Sequence, residues 1–560
     1  MTNPDARRPW LALYPPGVPA EIDPGKLPTL ARHFEEAFRR HAALPLALFL
    51  DRSYSYGHYD RASRALAAWL AAHGVGRGDR VAIMMPNVPQ YLAAIAGIVR
   101  AGAVIVNVNP LYTAREVEQV LADSGAVAIV VLENFAATVT GVLPGTKLRH
   151  VLVAAVGDWL GPVKGAVANF VMRHVRRAVR PYAAPGVVRF DAALAEGARL
   201  PFAAPAIAPG DLAVIQYTGG TTGVAKGAML THANLGAAVL AAEAWLAPAT
   251  SAPGWPANPT FVCALPLFHM YALMACVLLA MRLGGKSLLI ANPRDLDALV
   301  RDLKRHPPHA FPAVNTLYRA LLDHPGFGRI DFSGLRVANS GGMAVQRAVA
   351  ERWFARTGCP IVEGWGLTEA SAAVTLNRLD IDGFTGDVGV PLPSFDLALR
   401  DGEGREVAAG EPGEIVVRGP QVMAGYWRNP GETSKVMTAD GWLRTGDIGV
   451  LDAAGRLRIV DRLKDMIDVS GFKVFPNEVE DVAVMHPGVR EAAVVGVPDE
   501  RTGEAVKLFV VPGDSPPSAE ELAAFLRERL TNYKRPRHIV FVPSLPKTPV
   551  GKILRRALRE

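Results

Sequence analysis

Cysteine is almost missing from this sequence. Its 560 residues include three cysteines, Cys263, Cys276 and Cys359, and no two of them are spaced as CxxC. So small and odd a number argues against a disulfide framework and against a structural zinc site. We therefore expect a protein of the reducing cytoplasm.

Long hydrophobic runs are also scarce. The first ten residues, MTNPDARRPW, lack the apolar core of a signal peptide. The longest apolar stretch, residues 264–281, contains Pro266 and His269 near its start and stops at Arg282. Because a membrane-spanning helix needs about 20 consecutive apolar residues, we expect a buried core helix here.

Acidic residues are the smaller charged class, with 53 against 60 lysines and arginines, and the net charge is +7. This excess favours anionic partners such as nucleotides, coenzymes or a membrane surface. The sequence has no base-reading motif and no interleaving of aromatic and basic residues, so we expect no nucleic-acid partner.

Residues 163–180, VKGAVANFVMRHVRRAVR, carry a basic amphipathic pattern. On a helix the arginines lie largely away from one apolar face, which is formed by Val167, Phe170, Val171, Val175 and Val179. Two interpretations are open. The segment is either an interfacial helix, which would place the protein on the inner face of the cell membrane, or a surface helix packed on its own domain.

Strand-like and helical patterns alternate from about residue 27 to residue 369, which predicts parallel sheets covered by helices. Short strands and Gly/Pro turns then predict a small β subdomain at about 385–460. Beyond a boundary near 461–465 the pattern predicts a separate α+β unit. We therefore expect an α/β protein with a large N-terminal domain of two helix-covered sheets. Buried strands are predicted within 80–85, 103–108, 126–132, 212–216 and 336–340.

A Gly/Thr-rich loop, YTGGTTGVAKGAML at 217–230, directly follows the predicted strand at 212–216. Glycines let backbone N–H groups approach an anion, threonines add hydroxyl donors, and Lys226 adds a positive charge. The loop therefore predicts a polyphosphate site at the carboxyl edge of a sheet. It is not a Walker A loop, because Gly227 follows Lys226 where that motif requires Ser or Thr. The alternative is a flexible surface loop.

Three further segments carry side chains suited to a nucleotide site. EGWGLTEAS offers an aromatic surface for a base, and its Thr368 and Glu369 offer the hard oxygens that magnesium prefers. WLRTGDIG places Asp447 in a turn, where it could accept hydrogen bonds from both ribose hydroxyls. PKTPVGKILRR places Lys552 after a Pro/Gly loop.

These segments, in this order, resemble the adenylate-forming superfamily of acyl-CoA synthetases, firefly luciferases and peptide-synthetase adenylation domains. The stretch from GWLRTGDIG to FPNEVED is similar to the fatty-acyl-CoA synthetase signature. LPLFHMYAL, NVNPLYTARE and GPQVMAGYW also resemble the bacterial long-chain fatty acid–CoA ligases. The resemblance covers nearly the whole chain. It implies a large domain over 1–461, a hinge at 462–466 and a small mobile C-terminal domain over 467–560.

The resemblance implies two half-reactions at one site. A fatty carboxylate attacks the α-phosphorus of ATP and gives acyl-AMP and pyrophosphate, and the thiol of coenzyme A then attacks the acyl carbon and releases AMP. Between the two steps the small domain would rotate about Lys464, withdraw Lys552, and bring Ser470 and Gly471 to the site. We therefore expect a long-chain fatty acid as substrate, with ATP, Mg²⁺ and coenzyme A.

The resemblance also implies roles for individual residues. Those expected to be catalytic are Lys552, Thr218, Glu369 and His269, and magnesium is expected near Thr218 and Glu369. Trp365 stands where tyrosine is usual in the family, and it should still stack on adenine. The other residues expected to bind nucleotide or coenzyme are Tyr217, Gly219, Gly220, Thr221, Thr222, Gly223, Lys226, Gly341, Gly364, Gly366, Thr368, Asp447, Arg462, Ser470 and Gly471.

Three other functions remain open at this stage. They are a ligase for medium-chain or aromatic acids, an acyl-AMP ligase that passes its adenylate to a carrier protein, and an inactive acyl- or nucleotide-binding protein. The Ser470-Gly471 loop argues against the second, and the presence of Glu369, Asp447 and Lys552 argues against the third. The resemblance also allows a homodimer.

Overall fold

The structure is a computed structural model that describes residues 8–218, 225–463, 465–470, 472–499, 501–548 and 553–559. Its strands are β1 (Pro45–Phe49), β2 (Arg52–Ser55), β3 (Arg80–Met84), β4 (Val104–Asn107), β5 (Ala128–Leu132), β6 (His150–Ala154), β7 (Val187–Arg189), β8 (Leu212–Thr218), β9 (Lys226–Thr231), β10 (Thr260–Cys263), β11 (Lys286–Leu289), β12 (Ala310–Ala313), β13 (Val337–Ser340), β14 (Ile361–Trp365), β15 (Thr375–Leu376), β16 (Val390–Pro391), β17 (Asp396–Arg400), β18 (Pro412–Arg418), β19 (Leu443–Leu451), β20 (Leu457–Arg462), β21 (Ile467–Val469), β22 (Phe472–Val474), β23 (Val489–Asp499), β24 (Gly503–Pro512) and β25 (His538–Phe541).

The α-helices of the described chain lie between and beside these strands. They are α1 (Leu30–Arg40), α2 (Tyr56–Ala72), α3 (Pro89–Arg100), α4 (Ala114–Ser124), α5 (Glu133–Gly141), α6 (Pro162–Phe170), α7 (Phe190–Gly197), α8 (His232–Thr250), α9 (Met270–Ala272), α10 (Leu279–Arg282), α11 (Leu296–Arg305), α12 (Asn315–Leu322), α13 (Arg347–Thr357), α14 (Pro430–Val436), α15 (Pro476–Val484), α16 (Ala519–Arg527) and α17 (Arg556–Arg559). Two π-helical segments, Val171–Val175 and Leu273–Leu278, continue α6 and α9.

Two mostly parallel sheets form the body of the large N-terminal part. One has nine strands in the order β16-β15-β14-β13-β12-β10-β11-β1-β2, and the other has seven in the order β7-β6-β5-β3-β4-β8-β9. The antiparallel strands are at the edges, as with β9, which pairs with β8. Crossover helices connect the parallel strands, as the alternating sequence pattern predicts.

Helices fill the space between the two large sheets and also cover their outer faces. The central core joins side chains of α2, α3 and α8 to both sheets. A second core lies between the nine-stranded sheet and helices α11 and α13, and a third lies between the seven-stranded sheet and helices α4 and α5. The predicted pair of helix-covered sheets is therefore confirmed.

Two smaller sheets follow in the chain. Strands β17-β18-β19-β20 form an antiparallel sheet, as expected for the β subdomain. The remaining sheet has the order β22-β21-β24-β23, with β25 paired to β24 and with its own apolar core under α15 and α16. A large α/β part followed by a small α+β part is the fold class that the sequence predicts.

The structure corrects two local expectations. The segment 163–180 is not one helix: α6 passes into the π-helical turn Val171–Val175, and Arg177 has φ 48°, so the helix ends before Val179. The apolar stretch 264–281 is buried as predicted, but helix begins only at Met270. Of the helices in the described ranges, none combines the length and the hydrophobicity needed to cross a bilayer.

Candidate nucleotide and acyl site

The strand before the Gly/Thr-rich loop is β8, and the chain returns as its antiparallel neighbour β9. Thr218 ends β8 opposite Lys226, and its hydroxyl donates to the Lys226 carbonyl at 3.4 Å. The loop therefore leads into a hairpin instead of a helix, which agrees with the failure of the Walker pattern. The loop residues Gly219, Gly220, Thr221, Thr222 and Gly223 lie outside the described residues, and their roles stay predictions.

Tyr426 contacts both Lys226, the predicted phosphate-binding lysine, and Glu369, the predicted metal ligand. Its hydroxyl donates to Glu369 Oε1 at 2.9 Å, and Lys226 Nζ lies 5.4 Å from its ring centroid, a cation–π distance. The backbone of 424–427 runs beside β9, where the Trp427 N–H donates to the Gly227 carbonyl at 2.7 Å. The segment GPQVMAGYW contributed to the family resemblance, but the sequence assigned no role to Tyr426.

A tight turn after β14 presents Glu369. The residue lies in the 3-10 turn Thr368–Ala370, and the Met423 N–H donates to its carbonyl at 2.7 Å. Ser371 and Ala372 follow with φ of 59° and 98°, values that residues other than glycine rarely adopt. A Cβ on Gly366 would lie 1.7 Å from the Ala372 carbonyl oxygen, so this turn requires glycine there. Thr368 and Gly366 are thus placed beside Glu369.

The donor set fits a magnesium ion that is bound mainly through substrate phosphates. Within the described ranges, no group of three or more His, Cys, Asp or Glu side chains is placed to hold a metal. Mg²⁺ commonly takes one or two carboxylates together with phosphate oxygens and water. The Glu369 carboxylate and the Thr218 hydroxyl are oxygen donors of this kind.

The residues predicted for the base and the ribose meet in a buried group. Trp365 ends β14, and its Nε1 donates to Asp447 Oδ2 at 2.8 Å. Both residues are 8% exposed. Arg462 pairs with Asp447 across β19 and β20, and its Nε lies 3.2 Å from Asp447 Oδ1. The structure therefore brings together three residues that the sequence assigned to nucleotide binding.

Tyr217 points towards α4. Its hydroxyl donates to the carboxylate of Asp123, and burial together with this carboxylate raises the pKa of Tyr217 above its ordinary value. A cavity of about 400 Å³ lies next to it, and Lys226, Trp427 and Glu432 also line this cavity. The nucleotide-binding role of Tyr217 stays a prediction.

Buried amides hold the turn that carries His269. Gln216 Nε2 donates to the Phe268 carbonyl at 3.0 Å, and Asn107 Nδ2 donates to Gln216 Oε1 at 2.9 Å. Asn87 Oδ1 accepts from the Leu267 N–H at 2.8 Å. His269 itself caps α9, because its Nδ1 accepts from the Tyr271 N–H at 3.4 Å. The position of this histidine therefore depends on residues of the seven-stranded sheet.

Gly341 and Gly364 lie close together at the ends of β13 and β14. A Cβ on Gly341 would be 3.4 Å from the Gly364 carbonyl oxygen, and a Cβ on Gly364 would be 2.9 Å from the Thr375 carbonyl oxygen. These glycines, which the sequence assigned to nucleotide or coenzyme binding, permit close backbone packing at this edge of the sheet. Beside them, Glu363 accepts from the Val345 N–H at 2.9 Å, and burial raises the pKa of Glu363 to about 7.

The residues expected to meet coenzyme A lie on the small C-terminal sheet. Ser470 occupies the turn between β21 and β22 with φ 55°, and its N–H donates to the Thr502 carbonyl at 2.8 Å. Gly471, Lys464 and Lys552 lie outside the described residues. Their roles and that of Ser470 stay predictions.

Comparison with known proteins shows the family of this chain. The sequence profile of the AMP-binding enzyme family matches residues 34–427, and that of the AMP-binding enzyme C-terminal domain matches residues 478–552. A long-chain-fatty-acid–CoA ligase of Yersinia pestis is 49% identical over 98% of this chain and 97% of its own length. One from Escherichia coli O157:H7 is 48% identical, with 98% of each chain covered.

Solved structures show the same architecture. The anthranilate CoA ligase AuaEII, crystallised with anthranoyl-AMP, superposes with a TM-score of 0.83 at 26% sequence identity. The match covers 96% of this chain and 98% of that one. Two large sheets and two smaller ones are therefore a shared framework.

Proposed function

The chain belongs to the AMP-binding enzyme family, and on this premise we propose that it is an ATP-dependent long-chain fatty acid–CoA ligase. It joins a fatty acid to coenzyme A and releases AMP and pyrophosphate. The observation that carries this proposal is the buried Trp365–Asp447 pair with Arg462 beside it, a group suited to an adenosine. The relatives that are 48% and 49% identical over nearly the whole chain carry this activity in their names.

In the first step the large domain would position the nucleotide. Trp365 offers a ring for adenine, Asp447 accepts from the ribose, and Lys226 neutralises the outer phosphates. Glu369 and Thr218 would hold Mg²⁺, which supplies charge neutralisation at the phosphates. Lys552 would bridge the fatty carboxylate and the α-phosphate, so that the two anions can approach each other. Tyr426 supports this arrangement by fixing Glu369 beside Lys226.

In the second step the small domain would turn about Lys464 and withdraw Lys552. The turn at Ser470 and Gly471 would then reach the site, where a glycine lets the pantetheine arm pass close to the backbone. His269, held by the Gln216 and Asn87 amides, would line the acyl side. One site can then serve both half-reactions.

A panel of carboxylic acids of graded chain length tests the substrate and the acceptor together. Pyrophosphate release is measured with and without coenzyme A. We expect the highest kcat/KM for long chains, because each buried CH₂ adds about 0.8 kcal/mol. If kcat/KM is instead highest for aromatic or medium-chain acids, the substrate belongs to that class and is not a long-chain fatty acid. Release of free acyl-AMP with no thioester would instead indicate an acyl-AMP ligase.

Lys552→Ala separates the half-reactions. We expect acyl-AMP formation to fall by at least about a hundredfold, the size of a single lost charge-stabilising contact. Thioester formation from supplied acyl-AMP should persist. Lys547→Ala is the matched control, because Lys547 lies five residues earlier in the same tail and is paired with Glu491 at 2.7 Å. Equal loss of both half-reactions would contradict the role of Lys552.

The amphipathic segment supports a further part of the proposal, in which the enzyme is cytoplasmic and binds reversibly to the inner face of the cell membrane. The side of α6 that packs inward is small and polar: Gly165 lies against Gly157, and Asn169 accepts from the Gly157 N–H at 2.8 Å. Three residues of the predicted apolar face point outward, with exposures of 58% for Val167, 59% for Phe170 and 66% for Val175, whereas Val171 and Val179 are half-buried. Together with Val163, which is 76% exposed, these three form an outward apolar stripe.

Basic side chains flank this stripe, as an anionic bilayer requires. Arg176, Arg177 and Arg180 are exposed at its end, whereas Lys164 beside it pairs with Asp51 at 3.5 Å. Arg173 instead anchors the segment, since it pairs with the buried Glu133 at 2.8 Å. A long-chain fatty acid partitions into membranes, so a bilayer-bound enzyme would meet its substrate there.

Vesicle sedimentation tests the membrane surface. Full-length protein should bind vesicles containing phosphatidylglycerol and bind phosphatidylcholine vesicles more weakly. Val167→Ser with Phe170→Ser should weaken binding by roughly tenfold or more, because two apolar side chains no longer enter the bilayer. Met485→Ser, a change at a 65% exposed residue of the small domain, is the control. Equal vesicle binding by the parent, the double variant and Met485→Ser would overturn the proposed membrane surface. Light scattering tests whether the protein forms the homodimer that the family resemblance allows.

A further inference from the structure

The lysine of the phosphate-binding hairpin already has an anionic partner within the chain. Lys226 Nζ forms an ion pair with the carboxylate of Glu432. The two side chains are 20% and 24% exposed, so the pair is partly shielded from water. Glu432 comes from α14, where its N–H donates to the Asn429 side chain at 3.0 Å. The two residues are 206 positions apart, and the pairing exists only in the folded protein.

Glu432 is shared between two lysines. Its Oε1 accepts from Lys435 Nζ at 2.5 Å, while its Oε2 faces Lys226. Lys435 is 70% exposed and lies one helical turn further along α14. The Lys226 and Lys435 ammonium groups lower the pKa of Glu432 to about 2, so this carboxylate is charged at every pH at which the protein would work.

The pair occupies the place where a polyphosphate is expected. Lys226 is the lysine of the Gly/Thr-rich segment and begins β9, and it lies over the Tyr426 ring, whose hydroxyl reaches Glu369. A cavity of about 400 Å³ borders Lys226 and Glu432 and is also lined by Asn429 and Arg428. A carboxylate at this point presents to Lys226 the same kind of charged oxygen as a β- or γ-phosphate.

We propose that Glu432 is a positioning residue for Lys226, and that it competes with the outer phosphates of ATP. This inference rests on the proposed function. Without nucleotide, Glu432 keeps the ammonium group of Lys226 over the Tyr426 ring. When ATP binds, its β- and γ-phosphates take over Lys226, and the Glu432 carboxylate keeps Lys435 as its partner. The loop lysine is therefore in position before binding, and the ion pair lowers the affinity for ATP.

Direct binding measurements test this exchange. Kd values for ATP and for AMP are measured by titration calorimetry, without fatty acid or coenzyme A. Glu432→Gln keeps the shape and removes the charge, and we expect its Kd for ATP to fall about two- to tenfold, the range for a partly exposed ion pair. Lys435→Gln should raise this Kd about two- to fivefold, because Glu432 then has Lys226 as its main partner.

AMP and a double variant provide the controls. AMP lacks the β- and γ-phosphates, so its Kd should stay constant in all variants. In a Lys226→Gln background, Glu432→Gln should change the Kd for ATP by less than about twofold, because the competing pair no longer exists. If Glu432→Gln changes the Kd for ATP equally in the parent and in the Lys226→Gln background, or changes the Kd for AMP as much as that for ATP, its charge acts on the nucleotide in general and not through Lys226. Either result would overturn the inference.

The outcome is separable from the proposed function. If the variants follow the predicted pattern for ATP but no acid is activated, the ligase assignment is wrong and the role of Glu432 stands. If fatty acids are activated and Glu432→Gln binds ATP no more tightly than the parent, the role of Glu432 is wrong and the ligase assignment stands.

Discussion

The hydrogen bond between Trp365 and Asp447 shows how much a single substitution in a motif can matter. The family usually has tyrosine at this position, and the sequence predicted only a ring for stacking. In the structure the indole N–H also donates to the carboxylate expected to bind the ribose, in a buried setting. The residue expected to face the base is therefore also the residue that orients Asp447, the predicted ribose ligand.

Trp365→Phe tests this second role. The ring remains for stacking, but Asp447 loses a donor, and hydrogen bonds to charged groups contribute about 1.5–3 kcal/mol. We expect the Kd values for both ATP and AMP to rise about tenfold or more. Trp442→Phe is the control, since Trp442 directly precedes β19, the strand that carries Asp447, but stacks on Arg418 at 4.7 Å. Unchanged AMP binding in Trp365→Phe would show that Arg462 alone orients Asp447.

Motif residues could be predicted because their chemistry is local, whereas their partners could not. The sequence selected Lys226, Glu369 and Asp447 as candidate site residues from residue type and context. It did not identify Tyr426, which lies 57 residues from Glu369, or Glu432, because nothing in the local pattern says which distant side chain will approach. Tyr426 lies in the GPQVMAGYW segment and Glu432 lies five residues after it, so the resemblance marked the region but not the contact.

Among the elements, the turn between β10 and α9 is held from outside its own sheet. Gln216 on β8 reaches the Phe268 carbonyl and is itself fixed by Asn107, whose Oδ1 accepts from the Tyr91 hydroxyl at 2.6 Å. This buried chain of amides connects the seven-stranded sheet to the histidine turn beside the nine-stranded sheet. The strands were predictable from their apolar runs, but the link between the sheets depends on how they stack.

Gln216→Leu tests whether the network positions His269. The change leaves the Phe268 carbonyl and the Asn107 amide unpaired, at a cost of about 1–3 kcal/mol each in stability. We expect a lower melting temperature and, in addition, a kcat for fatty acid reduced by about tenfold or more, with KM for ATP nearly unchanged. Tyr91→Phe is the control, because Tyr91 lies at the end of this hydrogen-bond network that is farthest from His269. We expect it to lower kcat and the melting temperature by less than Gln216→Leu does. Reduced stability with normal kcat would make the network purely structural.

At the scale of the whole molecule, ion pairs of Arg555 connect the C-terminal tail to the small domain and to the hinge region. Arg555 lies 2.8 Å from Glu480 and 3.6 Å from both Asp461 and Asp465. It also follows Lys552 by three residues. The tail that should deliver Lys552 is therefore attached to the segment about which the small domain should turn, and movement of one would be transmitted to the other.

Buried histidines make global stability depend on pH. His33 on α1 contacts the Leu278 carbonyl at 2.9 Å, and burial, followed by the nearby Arg282, lowers its pKa to about 4. The ordinary value is about 6.5. The neutral form is thus favoured by folding, and stability is lost as the pH falls from about 6.5 towards 4. For His33 alone this loss is roughly 2 kcal/mol between pH 7.5 and 5.

His33→Gln should remove this part of the pH dependence, because an amide stays neutral. Unfolding in urea at pH 7.5 and at pH 5 measures the difference. We expect the variant to lose roughly 2 kcal/mol less than the parent over this interval. His538→Gln, at an exposed histidine, should behave like the parent. An identical pH dependence in His33→Gln and parent would show that other groups account for the acid sensitivity.

The sequence by itself determined the family, the α/β architecture, the strands and the types of residue at the site. These follow from apolar periodicity, turn-forming residues and long motifs, which are properties of neighbouring positions. Tertiary structure alone decided the pairing of Lys226 with Glu432, the bond from Trp365 to Asp447, and the outward direction of the apolar stripe on α6. Such contacts depend on how the sheets and helices pack, since residues far apart in sequence meet only once the layers are assembled.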